Sequence, residues 1–240
     1  MSAPEGVIVT MDGPAGTGKS TVALKLAQRL GLEMLDTGAM YRAAAVVAID
    51  EGVAADDGEA LAARIAEEGL VFDWSQRPPR LLLGGRDLTE RIRDQDVNTV
   101  VSIVARQAPL REALVRAQRE IGHRHPRLVT EGRDQGSVVF PDAAVRFYLD
   151  AHPEVRARRR VEQMRSQGRP ADYEAVLRAI QQRDRLDETR TDGPLVCPAD
   201  AQRIDTSLLA LPQVVDELER RVRARVPAGL LSSPCAAVRA

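Results

Sequence analysis

GPAGTGKST, residues 13–21, follows the β-branched run VIVT of residues 7–10. Gly13, Gly18, Lys19 and Ser20 match G-x-x-x-x-G-K-[ST], with Pro14, Ala15, Gly16, Thr17 and Thr21 completing the turn. The glycines let the backbone curl until successive N–H groups point into one concavity. The helix that starts near Lys19 adds the positive end of its dipole. A lysine placed there reaches the β- and γ-phosphates of a nucleotide, and the Ser20 hydroxyl can hold Mg²⁺. A glycine-rich turn with an accidental lysine is the plain alternative. The context speaks against it, because a strand precedes the turn and a helix follows. All but two of the 34 basic residues are arginines, and one of those two lysines is Lys19.

Working outward, Val7–Met11 reads as a buried strand. Residues 19–30 read as a helix with an apolar stripe of Val22, Ala23, Leu26, Ala27 and Leu30, closed by Gly31. Further strands are expected at Glu33–Asp36, 127-RLVTE-131, 145-VRFYLD-150 and 203-RIDT-206. Helices are expected over 38–49, 57–68, 94–107, 109–123, 153–167, 172–190 and 211–225. This alternation predicts an α/β fold: a mostly parallel five-stranded sheet flanked by helices. The runs LVFDW (70–74) and RLLLG (80–84) break the alternation and read as a hairpin. Residues of about 62–102 are therefore taken as a small strand-rich insert. A single domain is expected over 1–226, with 227–240 a disordered tail rich in Pro, Gly and Ser.

Composition narrows the function. A formal net charge of −1 and 3% aromatic residues argue against nucleic-acid binding. The longest clean apolar run, Ala43–Ile49, is far too short to span a membrane. The opening MSAPEG shows no export signal, and Cys197 and Cys235 are too few for a disulfide framework. A cytoplasmic location follows as the expectation. A guanine-reading N-K-x-D is absent, and no apolar strand ends in Asp-Glu, so neither a switch GTPase nor a motor ATPase fits. A kinase with a small acceptor remains, and its acceptor site belongs at the strand ends.

Four constellations answer that description. They are 36-DTGAMYR-42, 131-EGRDQG-136, Ser102 with Arg111, and 183-RDRLDETR-190. Each has an ordinary reading when taken alone: a helix cap, a polar turn, surface groups, a solvated face with an i,i+4 ion pair. Together with GPAGTGKST, SIVARQAPLREAL, EGRDQGSVVFPDA and FYLDA they resemble the bacterial cytidylate kinases, to about residue 225. Thr37 stands where that family also has serine. Glu131 stands where it often has aspartate and receives no role.

The resemblance implies ATP as donor with Mg²⁺, CMP or dCMP as acceptor, and a monomer working in pyrimidine metabolism. Asp134, Arg111 and Ser102 then read the base, in keeping with an amine donor and ring acceptors on cytosine. Arg183 and Asp187 hold the ribose. Arg42, Arg133 and Arg190 clamp the acceptor phosphate, with Asp36 and Thr37 beside them. Residues 153–190 carry ten arginines and resemble a kinase lid, in which Arg156 and Arg160 are expected to touch ATP phosphates. Lys19 and these arginines form the catalytic set. The nucleophile is an ionised phosphate oxygen, so no general base is needed, and His123, His125 and His152 lie outside every motif. Two rivals stay open at this point: a shikimate-type kinase, where Asp36 takes a hydroxyl proton, and a nucleotide-binding switch with little turnover.

Overall fold

The computed structural model describes residues 6–231. Its centre is β1 (Val7–Asp12), which is almost wholly buried. A strand covered on both faces reads as a near-continuous apolar run, and VIVTM is one apart from Thr10. The sheet has the order β2-β6-β1-β7-β8, with every neighbouring pair parallel. Its other strands are β2 (Glu33–Asp36), β6 (Arg127–Glu131), β7 (Val145–Asp150) and β8 (Gln202–Asp205). The five expected strands are all present.

Two apolar clusters fill the two faces. On one, Val7, Val9 and Met11 pack with the stripe of α1 (Lys19–Leu30) and with Val214, Val215, Leu218 and Val222 of α8 (Leu211–Arg223). On the other lie α2 (Thr37–Asp50), α3 (Gly58–Glu68), α4 (Gln95–Val104) and α5 (Ala108–Arg124). The alanine-rich run in α2 is buried nearly all round, which small side chains permit against three neighbouring helices. A second helical pair, α6 (Pro153–Ser166) and α7 (Tyr173–Thr189), packs against itself as a hairpin.

The strand-rich piece is a separate antiparallel sheet of β3 (Leu70–Asp73), β4 (Arg80–Leu83) and the two-residue β5 (Arg86–Asp87). It is narrower than the expected 62–102, because those limits fall inside α3 and α4. Its hairpin pairs Leu70 with Leu83 and Phe72 with Leu81, turning Phe72, Leu81 and Leu83 into the second cluster. Trp74 then donates its Nε1–H to the Met34 carbonyl at 2.9 Å and stacks on His125, with ring centroids 4.2 Å apart. This covers β2, an edge strand that would otherwise offer unpaired backbone groups.

At the other end of the chain, the tail expected from residue 227 begins as a helical turn, α9 (Ala228–Leu231), and Leu231 is buried in the first cluster. A leucine that can reach the core orders the turn behind it. The rest of that expected tail, 232–240, lies outside the described residues.

Candidate active site

The turn after β1 needs glycine for steric reasons. A Cβ on Gly13, whose φ is +143°, would overlap the Leu149 carbonyl at the end of β7. Gly16 and Gly18 also have positive φ, at +82° and +89°. Gly18 caps α1 without any side-chain hydrogen bond, and no acidic residue sits in the first turn. The amide donors there stay open to an anion. Lys19 folds back over the loop, its Nζ donating to the Pro14 carbonyl at 2.7 Å. Only 5% of this residue is exposed. Burial, reinforced by the nearby charge of Arg133 and opposed by Glu131 and Asp12, brings its pKa down to about 7.

Beside the loop, oxygen atoms gather. Asp36 and Glu131 end the neighbouring strands β2 and β6 and are partners in the parallel register. Burial, and then the charge of Glu131, push the Asp36 carboxyl well above the ordinary range. Ser20 donates its hydroxyl to Glu131 Oε1 at 2.6 Å. Glu131 therefore belongs to the site although its sequence gives it no special mark; only the register of β6 against β2 brings it there. Asp36 also caps α2 by accepting from Ala39 N at 3.0 Å. Thr37 is buried and donates its hydroxyl to the Glu131 carbonyl at 2.8 Å.

Arginines close the other side. Arg133 Nε donates to Asp187 Oδ2 at 2.9 Å, and Arg183 stands 4.0 Å from the same oxygen. Burial opposes ionisation of Asp187, but Arg133 and Arg183 outweigh it and hold the carboxyl below its ordinary value. Burial, and then Arg133, lower the Arg183 pKa to about 10. Arg183 Nε and Arg190 Nη2 are buried without a hydrogen-bond partner. Arg190 Nε donates to the Gly193 carbonyl at 2.6 Å. Arg42 reaches Asn98 Oδ1 at 2.8 Å and the Ile92 carbonyl at 3.2 Å through Nη1 alone. Its pKa is lowered by burial first, with Arg160 and Arg133 adding to the effect and Asp36 opposing it.

Farther along the cleft, Asp134 and Arg111 form a buried ion pair. Arg111 also contacts the Tyr41 hydroxyl at 3.3 Å and the Ala105 carbonyl just past α4 at 3.4 Å. Ser102 lies one turn earlier on α4, half-buried, with a hydroxyl that no described residue engages.

The helical pair departs from expectation at one point. Arg156, expected on ATP phosphates, is 3% exposed and fully engaged with the protein. Its Nε donates to the Ala151 carbonyl at 2.9 Å, and Nη1 donates to the Ala15 carbonyl at 3.0 Å. Both terminal nitrogens fork onto the Asp184 carboxylate at 3.0 and 2.7 Å. It ties the 13–21 loop to α7 instead of standing free. The missing information was Asp184, which neutralises it from 28 residues away. Arg160 is half-exposed and bonded only to Gln163, at 2.8 Å, so it remains free to meet an anion.

A family model described as cytidylate kinase matches residues 9–224. The chain is similar to the cytidylate kinase of Nocardia farcinica (strain IFM 10152): 44% identical over 229 residues, covering 95% of this chain and 99% of the relative. It is 45% identical over 225 residues to the cytidylate kinase of Rhodococcus jostii (strain RHA1), covering 93% and 97%. Among solved structures, an uncharacterized protein from Eubacterium ventriosum ATCC 27560 matches with a TM-score of 0.51 at 11% identity, over 91% of this chain and 99% of that one. That last likeness is one of fold alone.

Breaking the Arg156 fork leaves Asp184 charged and nearly buried. Arg156→Ala is expected to lower the unfolding free energy by about 3–5 kcal/mol, the usual cost of orphaning one partner of a buried ion pair. Urea denaturation measures this, and an unchanged midpoint would show that the fork does not hold α7.

Proposed function

The chain belongs to the cytidylate kinase family, and we propose on that premise that its cleft sets ATP and CMP or dCMP end to end. The γ-phosphoryl group passes to the acceptor phosphate, giving ADP and CDP or dCDP. The observation that carries this is the crowding of partly buried positive charge. Arg42, Arg133, Arg183 and Arg190 stand beside Lys19, and Arg183 Nε and Arg190 Nη2, though within 4.0 Å of a carboxylate, make no hydrogen bond. Such a cluster is costly unless anions enter it.

The donor triphosphate lies on the amides of the 13–21 loop, with Lys19 turning from the Pro14 carbonyl to its β- and γ-oxygens. Arg160 approaches from α6. Arg133, Arg190 and Arg42 take the acceptor phosphate in their forks. Arg183 and Asp187 face the ribose. Asp134 accepts from the 4-amino group of cytosine, and Arg111 and Ser102 donate to its ring acceptors, the Arg111–Asp134 pair opening to admit the base. Asp36 lies next to the acceptor end. The acceptor oxygen is already ionised, so the residues need only align two anions and offset their repulsion.

Ser20, Glu131 and Asp36 suit Mg²⁺. They are hard oxygen donors, and the proton held so readily by Asp36 marks a place where a cation is wanted. Among the described residues no group of three or more His, Cys, Asp or Glu can hold a metal, so phosphates and water must complete its shell. When bound, Mg²⁺ supplies charge neutralisation on the transferring phosphates. No helix of the described residues is long and apolar enough to cross a membrane. We place the reaction in the cytoplasm, in pyrimidine nucleotide metabolism, in a monomer that binds small nucleotides and not nucleic acid.

An acceptor panel tests the proposal. ADP formation from ATP and magnesium is expected to be stimulated by CMP and dCMP, far less by UMP or AMP, and not by shikimate. ADP formation that ignores CMP, or responds best to shikimate, would overturn it. Asp134→Ala is expected to raise KM for CMP by roughly 10–100-fold, the worth of a hydrogen bond to a charged group, with KM for ATP nearly unchanged. Equal rises in both would make Asp134 structural.

Lys19 gives a pH-linked test. At pH 8 its ammonium is mostly deprotonated in the free protein, given a pKa of about 7. Phosphates favour the charged form, so magnesium-free ATP is expected to bind with uptake of close to one proton. Calorimetry in two buffers of different ionisation enthalpy measures the uptake, and Lys19→Met should abolish it. No uptake by the unaltered protein would show that the lysine is charged beforehand.

A further inference from the structure

Asp12 is a buried carboxylate that the phosphoryl transfer does not use. It ends β1, is 1% exposed, and immediately precedes the glycine turn. Its Oδ1 accepts from the amide of Gln135 at 2.8 Å and its Oδ2 from the amide of Gly136 at 2.7 Å. The preceding residue of β1 makes a third link, since Gly132 N donates to the Met11 carbonyl at 3.0 Å. Between these anchors only two residues are free to project into the cleft, Arg133 and Asp134.

The approach of the two chains is close. A Cβ on Gly136 would sit 2.9 Å from Thr10 Oγ1, so a side chain there would drive the turn away from β1. Gln135 locks the turn from below, accepting from Thr130 Oγ1 at 2.8 Å and donating to Gln118 Oε1 at 3.0 Å. Keeping a carboxylate in such surroundings is unfavourable. Burial pushes the Asp12 pKa up to about 6, against the pull of the two amides. A carboxylate held at that cost is explained by what it fixes.

We propose that Asp12 is the positioning residue of the acceptor site: by gripping the amides of Gln135 and Gly136 it sets the aim of Arg133 at the acceptor phosphate and of Asp134 at the base. This rests on the roles assigned above to those two residues. No substrate contact is assigned to Asp12. It works through a backbone turn that belongs to a different strand, so the loop that receives ATP and the turn that receives CMP share one anchor.

Asp12→Asn tests this, because the amide keeps the shape but presents a donor to one of the two backbone donors. Asp12→Ser is made alongside, so that a folding failure in one variant does not leave the question open. Hydrogen exchange of the peptide covering 132–140 is expected to quicken at least about tenfold, the worth of a lost hydrogen bond to a charged group, while exchange in α1 stays unchanged. KM for CMP is expected to rise at least about tenfold with KM for ATP within about threefold, and the preference for CMP over UMP to fall. Unchanged exchange at 132–140, or equal rises in both KM values, would overturn the proposal. Asp134→Asn is the companion arm. If it leaves the CMP-over-UMP preference intact, the base-reading assignment is wrong, and the exchange result still decides whether Asp12 holds the turn. If it lowers the preference and the Asp12 variants do not, the positioning role alone fails.

Discussion

Like charges brought out of water and close together set the terms for the rest of this structure. Burial, and then the charge of Arg133, lowers the pKa of both Lys19 and Arg183; burial, and then Arg111, does the same to Arg190. Carboxylates are placed to make the crowding bearable: Asp187 between Arg133 and Arg183, Asp134 against Arg111, Asp184 under Arg156. The compensation is incomplete, and it is incomplete at Arg183 and Arg190, in the site proposed for the acceptor nucleotide. Full neutralisation would give a more stable protein with nothing to attract a phosphate.

Holding that arrangement falls to the backbone at the carboxyl ends of four adjacent parallel strands. Gly13 lies against the Leu149 carbonyl, Asp36 and Glu131 share a register, and the turn after β6 is strapped to the end of β1. Rigid strand ends place side chains more exactly than free loops can. The helical pair α6–α7 completes the enclosure, and Arg156 connects it to the loop carbonyl of Ala15.

What the sequence disclosed and what it hid divide by distance along the chain. The glycine turn, the flanking strand and helix, and the hairpin at 70–84 are local patterns, and each forms where its residues direct. The two-residue β5 is too short to leave an alternation. Glu131 and Asp12 went unassigned because their partners lie 111 and 123 residues away, joined only by strand order. The protein partners of Arg156 and Thr37 are hidden for a related reason. A sequence shows that a group can donate, but not that Asp184 or a strand carbonyl already receives the donation. The turn at 228–231 was masked by Pro and Gly, although the two leucines beside them supply the apolar anchor.

Trp74 is the chain's single tryptophan, and it sits on the seam between the small antiparallel sheet and β2, against an imidazole. Its emission therefore comes from one seam and nowhere else. Any shift of the small sheet against the strand edge changes the surroundings of the only indole, so tryptophan fluorescence excited beyond the tyrosine band reads that seam without a label.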